Sequence, residues 1–249
     1  MNVRDYYERY WSADGFHPTG KTTPALAALF DRWVPAGARC LDVGCGDGRT
    51  SGPWLLDHGC SYEGVDVSAQ AVEEARALGL HAGRIDDSSR LSFEDRSFDV
   101  VVCVEVLEHL FAPLDSVREM ARVLRPGGLL IVTVPNVSYW RRRIDMLLLG
   151  RWNPVGDDRS VSEPWRDPHI RFFNPGSMRR MIVAAGLSPV VVGAHAGGVL
   201  RDVPWPGQRF RHGEASRPYR WLERVLPSLF GAGVYAVARL DMHQPQSFS

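Results

Sequence analysis

The chain has 249 residues, 45% of them apolar and 23% charged, the proportions of an ordinary globular protein long enough for one α/β domain with additions. Lys+Arg and Asp+Glu balance at 29 each, so no global field points to nucleic acid or to an acidic surface. No apolar run approaches the roughly 20 residues of a membrane helix, which excludes a spanning segment.

No basic-then-apolar leader opens the sequence, and a cytoplasmic setting is expected. The cysteines Cys40, Cys45, Cys60 and Cys103 form no CxxC pair, so buried, reduced thiols are expected. Residues 1–36 are rich in aromatics (Tyr6, Tyr10, Trp11), with an amphipathic helix over 24–33. They are expected to form a helical lid over a ligand.

The apolar run of Cys40, Leu41 and Val43 predicts a buried strand. It breaks into glycines at alternate positions, Gly44, Gly46 and Gly48, before a helix over 50–58. Strand, glycine turn and helix start make a cradle for a nucleotide or a carboxylate. A second strand over 61–66 ends in Asp66, about twenty residues after the turn, where a dinucleotide-type fold places a carboxylate for ribose hydroxyls. Ser68 is positioned to cap a helix over 69–79. A short strand over 81–85 follows, and then the acids Asp86 and Asp87.

Residues 98–104 form a continuous β-branched run, the clearest buried strand in the chain. A helix over 114–124 stops at Pro126-Gly127-Gly128, and a fifth strand covers 128–134. The stretch 140–149 is amphipathic and helical, followed by a loop containing proline and tryptophan. Helix 175–185, strand 189–194, helix 219–230 and strand 234–240 complete the chain. No linker divides it, so one domain over 1–249 is expected, with 136–170 and 195–217 as acceptor-side insertions.

Asp42-x-Gly44-x-Gly46-x-Gly48, Asp66, Asp87 and Arg122-Val123-Leu124-Arg125-Pro126-Gly127-Gly128, in that order and spacing, resemble a class I S-adenosylmethionine-dependent methyltransferase. The resemblance implies a Rossmann-like, doubly wound sheet of seven strands, the last antiparallel, with an insertion after the fifth. It implies that the turn at Gly44 and Gly46 holds the methionine part of S-adenosyl-L-methionine, with Asp42 beneath it. Asp66 would then receive both ribose hydroxyls, Asp87 and Ser88 would read the adenine edge, and Val104 would complete the pocket. The tract from Asp87 to Phe93 departs from the family's Asp-x-x-x-Leu-Pro-Phe in carrying Ser92 for proline.

Glu105, Glu108 and His109 fall at i, i+3 and i+4, on one face if that turn is helical, and His169 follows the insertion. The pattern is similar to that of ubiquinone-pathway O-methyltransferases and of small-RNA 2′-O-methyltransferases, which implies a Mg2+ site made by Glu105, Glu108, His109 and His169. Without a metal, His109 or His169 would serve as general base.

The acceptor half is less constrained than the cofactor half, because methyl transfer mainly requires alignment of nucleophile, methyl and sulfur. A small-molecule acceptor taking a methyl on oxygen is the leading expectation, and a homodimer is compatible with the sequence. Arg141, Arg142, Arg143, Arg209, Arg211, Arg217 and Arg220 could meet RNA phosphates, but no RNA-binding motif accompanies them and a nucleic-acid partner is not expected. Pro135-Asn136, Trp140-Arg141, Gly150-Arg151 and Trp165-x-Asp167-Pro168-x-Ile170 also resemble the MetW family, which implies an accessory partner of a homoserine acyltransferase. The stretch 140–149 allows contact with a membrane surface, although a helix packed over the acceptor pocket is preferred.

Overall fold

The β-branched run Phe98–Val104 becomes β4, the central strand of a seven-stranded sheet ordered β3-β2-β1-β4-β5-β7-β6. The others are β1 (Arg39–Val43), β2 (Ser61–Asp66), β3 (Ala82–Arg84), β5 (Leu124–Pro135), β6 (Ser188–His195) and β7 (Gly233–Arg239). Strand β7 runs antiparallel to both its neighbours, and the pairings from β1 to β5 are parallel. The chain is a computed structural model that describes residues 7, 8, 11, 21–151, 169–195, 221, 222 and 224–242.

Helices cover both faces, as a parallel sheet requires. On one face α4 (Pro113–Val123) and α6 (Pro175–Ala184) pack Val117, Met120, Met178 and Ile182 against Val101, Leu130 and Val132. The other face meets α1 (Pro24–Trp33), α2 (Gly52–Asp57) and α3 (Ala69–Ala77) through Leu26, Phe30, Leu55 and Val72. Helix starts follow the side chains that cap them. Thr23 accepts from the Leu26 amide, Ser68 from Ala71, and Asn174 forms a reciprocal capping box with Ser177.

Three elements differ from the sequence expectation. Strand β5 starts at Leu124 and runs through Pro126-Gly127-Gly128, because Leu124 already pairs with Phe98 before the register shifts to Val100 with Leu129. Helix α4 ends at Val123, close to where it was expected, and the proline and glycines lie just past it in an irregularity within the strand, with Gly127 at φ 83°. Second, the helix expected over 219–230 is interrupted: 221, 222, 224 and 225 are helical, Leu226 bends, and α7 (Pro227–Phe230) restarts at the proline. Third, the turn after β4 is a short 3-10 helix over Leu107–His109 that leaves Glu105 outside it. The loop expected over 197–217 lies outside the described residues.

The strand order reverses between β1 and β4, which puts the binding crevice at the carboxyl ends of those strands. Beyond them, α5 (Trp140–Leu149) leaves β5 as expected and ends at Gly150 in the left-handed conformation. Fully buried Asn136 fastens this end of the sheet. Its Nδ2 donates to the carbonyls of Gly231 at 2.7 Å and Ser228 at 3.2 Å, and its Oδ1 accepts from Ser138 N at 3.0 Å. Asn136→Ala strands those buried groups and should lower the unfolding free energy by about 2 kcal/mol. Urea unfolding checks this; an unchanged midpoint would show that the clamp is redundant.

Candidate functional site

The glycine turn forms because β1 ends against β2: the amides of Gly44 and Cys45 both donate to the Val65 carbonyl, at 2.8 and 3.0 Å. Gly44 and Gly46 sit at φ 75° and 55°. Space demands glycine too, since a Cβ on Gly44 would lie 2.4 Å from Val106 Cγ2 and one on Gly46 would lie 2.8 Å from Trp11 Cζ2.

Asp66 lies beside this turn. Its Oδ2 accepts from Gly46 N and its Oδ1 from Ser68 N, both at 2.9 Å, so one carboxyl group joins the glycine turn to the start of α3. Burial raises its pKa, against the pull of these amides. Asp42, nearly inaccessible beneath the turn, accepts from Tyr62 Oη at 3.2 Å, and burial pushes it up to about 7. Glu8 reaches the same region from the N-terminal segment. Burial acts to raise its pKa, but it accepts from Ala69 N at 2.9 Å and Ser68 Oγ at 3.0 Å, and these bonds, with Arg84 nearby, together hold it below the usual carboxylate range.

After β4, Glu105 takes a left-handed backbone conformation, φ 55°, shared among described non-glycine residues only with Arg96. That twist separates it from the turn that follows. Its Oε1 accepts from Thr133 Oγ1 at 2.8 Å. Glu105 is exposed to the cavity but walled in by protein on its other sides, and this burial raises its pKa against Thr133 and the Arg142 guanidinium. Glu108 is sequestered, and neither carboxyl oxygen has a hydrogen-bond partner; burial, then the Glu105 charge, drives its pKa well up. Its backbone carbonyl accepts from the amides of Ile170 and Arg171, at 2.9 and 3.0 Å, and that strap brings His169 to His109 with ring centres 4.5 Å apart.

The Glu108, His109 and His169 ligand atoms all lie within 4.8 Å of one another, whereas Glu105 does not join the group. The expected four-residue set thus divides into three and one, because a 3-10 turn preceded by a left-handed residue does not align i with i+3 and i+4 as an α-helix would.

A single cavity of about 1050 Å³ connects these parts. Asp42, Gly44, Gly46, Asp66, Ser88, Val104, Glu105 and His109 line it, all of them site residues expected from the sequence. Asp87 is not among its lining residues; its exposed carboxylate accepts from Ser89 N at 2.8 Å within its own turn. Ser88 is buried and shares a hydrogen bond with Ser116 at 2.9 Å. The volume slightly exceeds the ~300–1,000 Å³ typical of one drug-sized ligand, as a site for two molecules should.

Arg142 and His195 fall within the stretches 136–170 and 195–217 expected on the acceptor side, but sequence reasoning singled out neither as a residue of this cavity. Arg142 lines the cavity opposite Glu105, and burial pulls its pKa down to about 10. Arg143, in contrast, is exposed and donates to Ser138 O at 2.7 Å, so the arginine triplet splits between interior and surface instead of forming one basic face. The apolar end of α5 points outward, with Leu147 and Leu148 81% and 71% exposed, while Tyr139, Arg142 and Asp145 face the cavity. The hydrophobic signal in 140–149 therefore identified the helix but not its functional face. Arg209, Arg211, Arg217 and Arg220 lie outside the described residues, as do Trp165, Asp167 and Pro168. Among the described residues no helix is long and apolar enough to cross a membrane.

Comparison with known proteins matches residues 41–132 to the methyltransferase domain family. The chain is 32% identical over 197 residues to a ubiquinone biosynthesis O-methyltransferase of Idiomarina loihiensis, covering 74% of this chain and 76% of that protein. It is 34% identical over 132 residues to a 2-methyl-6-phytyl-1,4-hydroquinone methyltransferase of Synechocystis, covering 48% and 42%. In fold it resembles a Haloferax volcanii structure, described as a complex of the Trm112 methyltransferase activator and a putative methyltransferase, with TM-score 0.62, 20% identity and coverage of 98% and 100%.

Asp42 supplies a pH test of the cradle. Its carboxyl titrates near 3.8 ordinarily and near 7 in the fold, so the folded protein binds the extra proton between those values. Stability from this group is therefore greatest at low pH and is lost as pH rises through 7, with a slope of at most about 1.4 kcal/mol per unit. The unfolding free energy of Asp42→Asn relative to the parent should climb between pH 4 and 7 and then level off. A pH-independent difference would place Asp42 in an ordinary, solvated environment.

Proposed function

The chain belongs to the S-adenosylmethionine-dependent methyltransferase family, and from that membership we propose that it transfers the cofactor's methyl group to a phenolic oxygen of a small molecule. The continuity of the cavity from Gly46 and Asp66 past Val104 to His109 carries this proposal, since it lets cofactor and acceptor meet at the carboxyl end of β4. The relative named as a ubiquinone biosynthesis O-methyltransferase supports oxygen as the methylated atom, and the one named for a phytyl hydroquinone supports an aromatic acceptor. Four buried free cysteines support a reducing, cytoplasmic setting.

In this account the Gly44–Gly46 turn and Asp66 hold the cofactor's methionine and ribose portions, and Ser88 meets the adenine. The amides that Asp66 now receives leave lone pairs free for hydroxyl donors. The acceptor oxygen attacks the methyl carbon in line with the carbon–sulfur bond. When bound, the cofactor would supply an electrophilic methyl whose transfer to that oxygen releases a neutral thioether, and His109 would take the hydroxyl proton. Imidazole suits that task near neutral pH. His169, whose ring lies 4.5 Å from that of His109 at a 39° tilt and is absent from the cavity wall, positions it.

A divalent cation held by Glu108, His109 and His169 has separate support, because a buried carboxyl with no hydrogen-bonded oxygen suits a ligand. With Glu105 directed to Thr133, two imidazoles and one carboxylate remain, donors better suited to Mn2+ or Zn2+ than to the expected Mg2+, which favours oxygen. When bound, such an ion would lower the pKa of the acceptor hydroxyl.

The lid also belongs to this proposal. Trp11 stands over Gly46, Tyr7 meets the His109 ring edge-on at 6.1 Å, and Glu8 caps α3, so the N-terminal segment closes the cofactor end. Trp11→Ala should speed dissociation of S-adenosylhomocysteine at least about tenfold in stopped-flow measurements; an unchanged rate would remove the lid.

Transfer of labelled methyl from S-adenosylmethionine to catechol tests the chemistry. His109→Ala should reduce kcat at least ~100-fold while cofactor affinity stays within about threefold. A full-rate variant would exclude His109 from both roles. Loss of activity in EDTA, restored by Mn2+, would establish the cation; indifference to EDTA would leave His109 as a metal-free base.

A further inference from the structure

At the far edge of the sheet, two glycines of the antiparallel pair β6/β7 each face a ring. Gly193 pairs with Tyr235 and His195 with Gly233. A Cβ on Gly193 would lie 2.7 Å from Tyr235 Cζ, and one on Gly233 would lie 2.7 Å from His195 Nε2. Each ring thus lies flat over the opposite strand's glycine, and the two rings are near-parallel, 26° apart with centres separated by 6.4 Å. Any larger residue at either glycine would lift its ring off the sheet.

This shelf borders the cavity that contains Asp66 and His109, with Leu29 and Trp33 of α1 lining the same cavity. It is not built like simple filler. His195 Nδ1 is buried with no hydrogen-bond partner, a costly state unless something else satisfies it. Burial also lowers the pKa of the imidazole, which keeps the shelf uncharged and open to aromatic stacking.

Distance excludes the shelf from the chemical step. Strands lie roughly 4.8 Å apart, so Tyr235 on β7 and His195 on β6 are two and three strands from the end of β4, about 10 and 14 Å away. A group there meets a part of the acceptor remote from the methylated oxygen. We propose that His195 and Tyr235 hold a planar, unsaturated portion of the acceptor by stacking, with the His195 ring nitrogen meeting a polar substituent on it. The acceptor is then an extended planar phenol, larger than a single ring. This rests on the assignment of the cavity to an oxygen acceptor, and names positioning residues for it.

Calorimetry on the protein saturated with S-adenosylhomocysteine tests the shelf, using catechol and quercetin, a catechol carrying a planar bicyclic extension. Quercetin should bind at least about tenfold tighter than catechol. The combined His195→Ala and Tyr235→Leu variant should cut that ratio to within about threefold of unity, with catechol and cofactor affinities unchanged. His195→Phe, which keeps the stack and removes the nitrogen, should retain an intermediate preference. If the double variant no longer binds cofactor, Gly233→Ala displaces the His195 ring with one methyl group and must lower the ratio in its place. Equal binding of the two phenols by the parent, or a ratio that survives these substitutions, would overturn the shelf. Methylation of quercetin with no dependence on His195 or Tyr235 would do so while leaving the proposed reaction standing. Quercetin bound in a shelf-dependent way but never methylated would sustain the shelf and refute the reaction.

Discussion

The Asp66 carboxyl group is the constraint on which the site depends. One oxygen holds the Gly46 amide and the other the Ser68 amide, so the glycine turn after β1 and the start of α3 after β2 cannot move independently. Burying that group, with Asp42 also buried nearby, is costly in a medium that solvates charge poorly. The fold keeps both acids at the one place where its strand order opens a crevice. A polar pair that strained the apo protein for no purpose would be simpler to replace by apolar side chains. In the proposed reading, a ligand rich in hydroxyl and ammonium donors gives the pair its purpose.

The reacting end follows a different logic. The 3-10 turn after β4 is fastened at its Glu108 carbonyl to the amides of Ile170 and Arg171, so a segment some sixty residues later supports the turn that carries His109. That strap explains how His169 reaches His109 without belonging to the same strand or helix. The left-handed Glu105 just before it turns its carboxyl to Thr133 and Arg142, dividing the acids of one short motif between two environments.

The cofactor half was legible because local rules determine it. β-branched runs, alternate glycines, the Ser68 cap and the spacing to Asp66 each have a short-range cause, and each element formed where expected. Asp87 was misplaced relative to the cavity because spacing locates a turn but not the direction of its side chains; the carboxylate caps its own loop and Ser88 faces inward. The Glu105 conformation has no sequence signal, since a non-glycine residue at positive φ is uncommon. The β5 irregularity at Pro126-Gly127-Gly128 looked like a helix stop because the same residues serve both purposes. His195 and Tyr235 escaped notice for another reason: their partners, Gly233 and Gly193, are some forty residues away, and only the antiparallel register brings ring and glycine together. One signal was present, glycines in the two closing strands at positions where a β-branched residue would ordinarily be favoured.

Calorimetric titration of the protein with S-adenosylhomocysteine, repeated on Asp66→Asn, addresses the central claim most directly. A single site of micromolar affinity in the parent, weakened at least about thirtyfold in a variant that still unfolds cooperatively, is what the buried carboxyl bridge predicts. Equal affinity in the two proteins would contradict it, and would move the cofactor away from the turn around which the whole crevice is built.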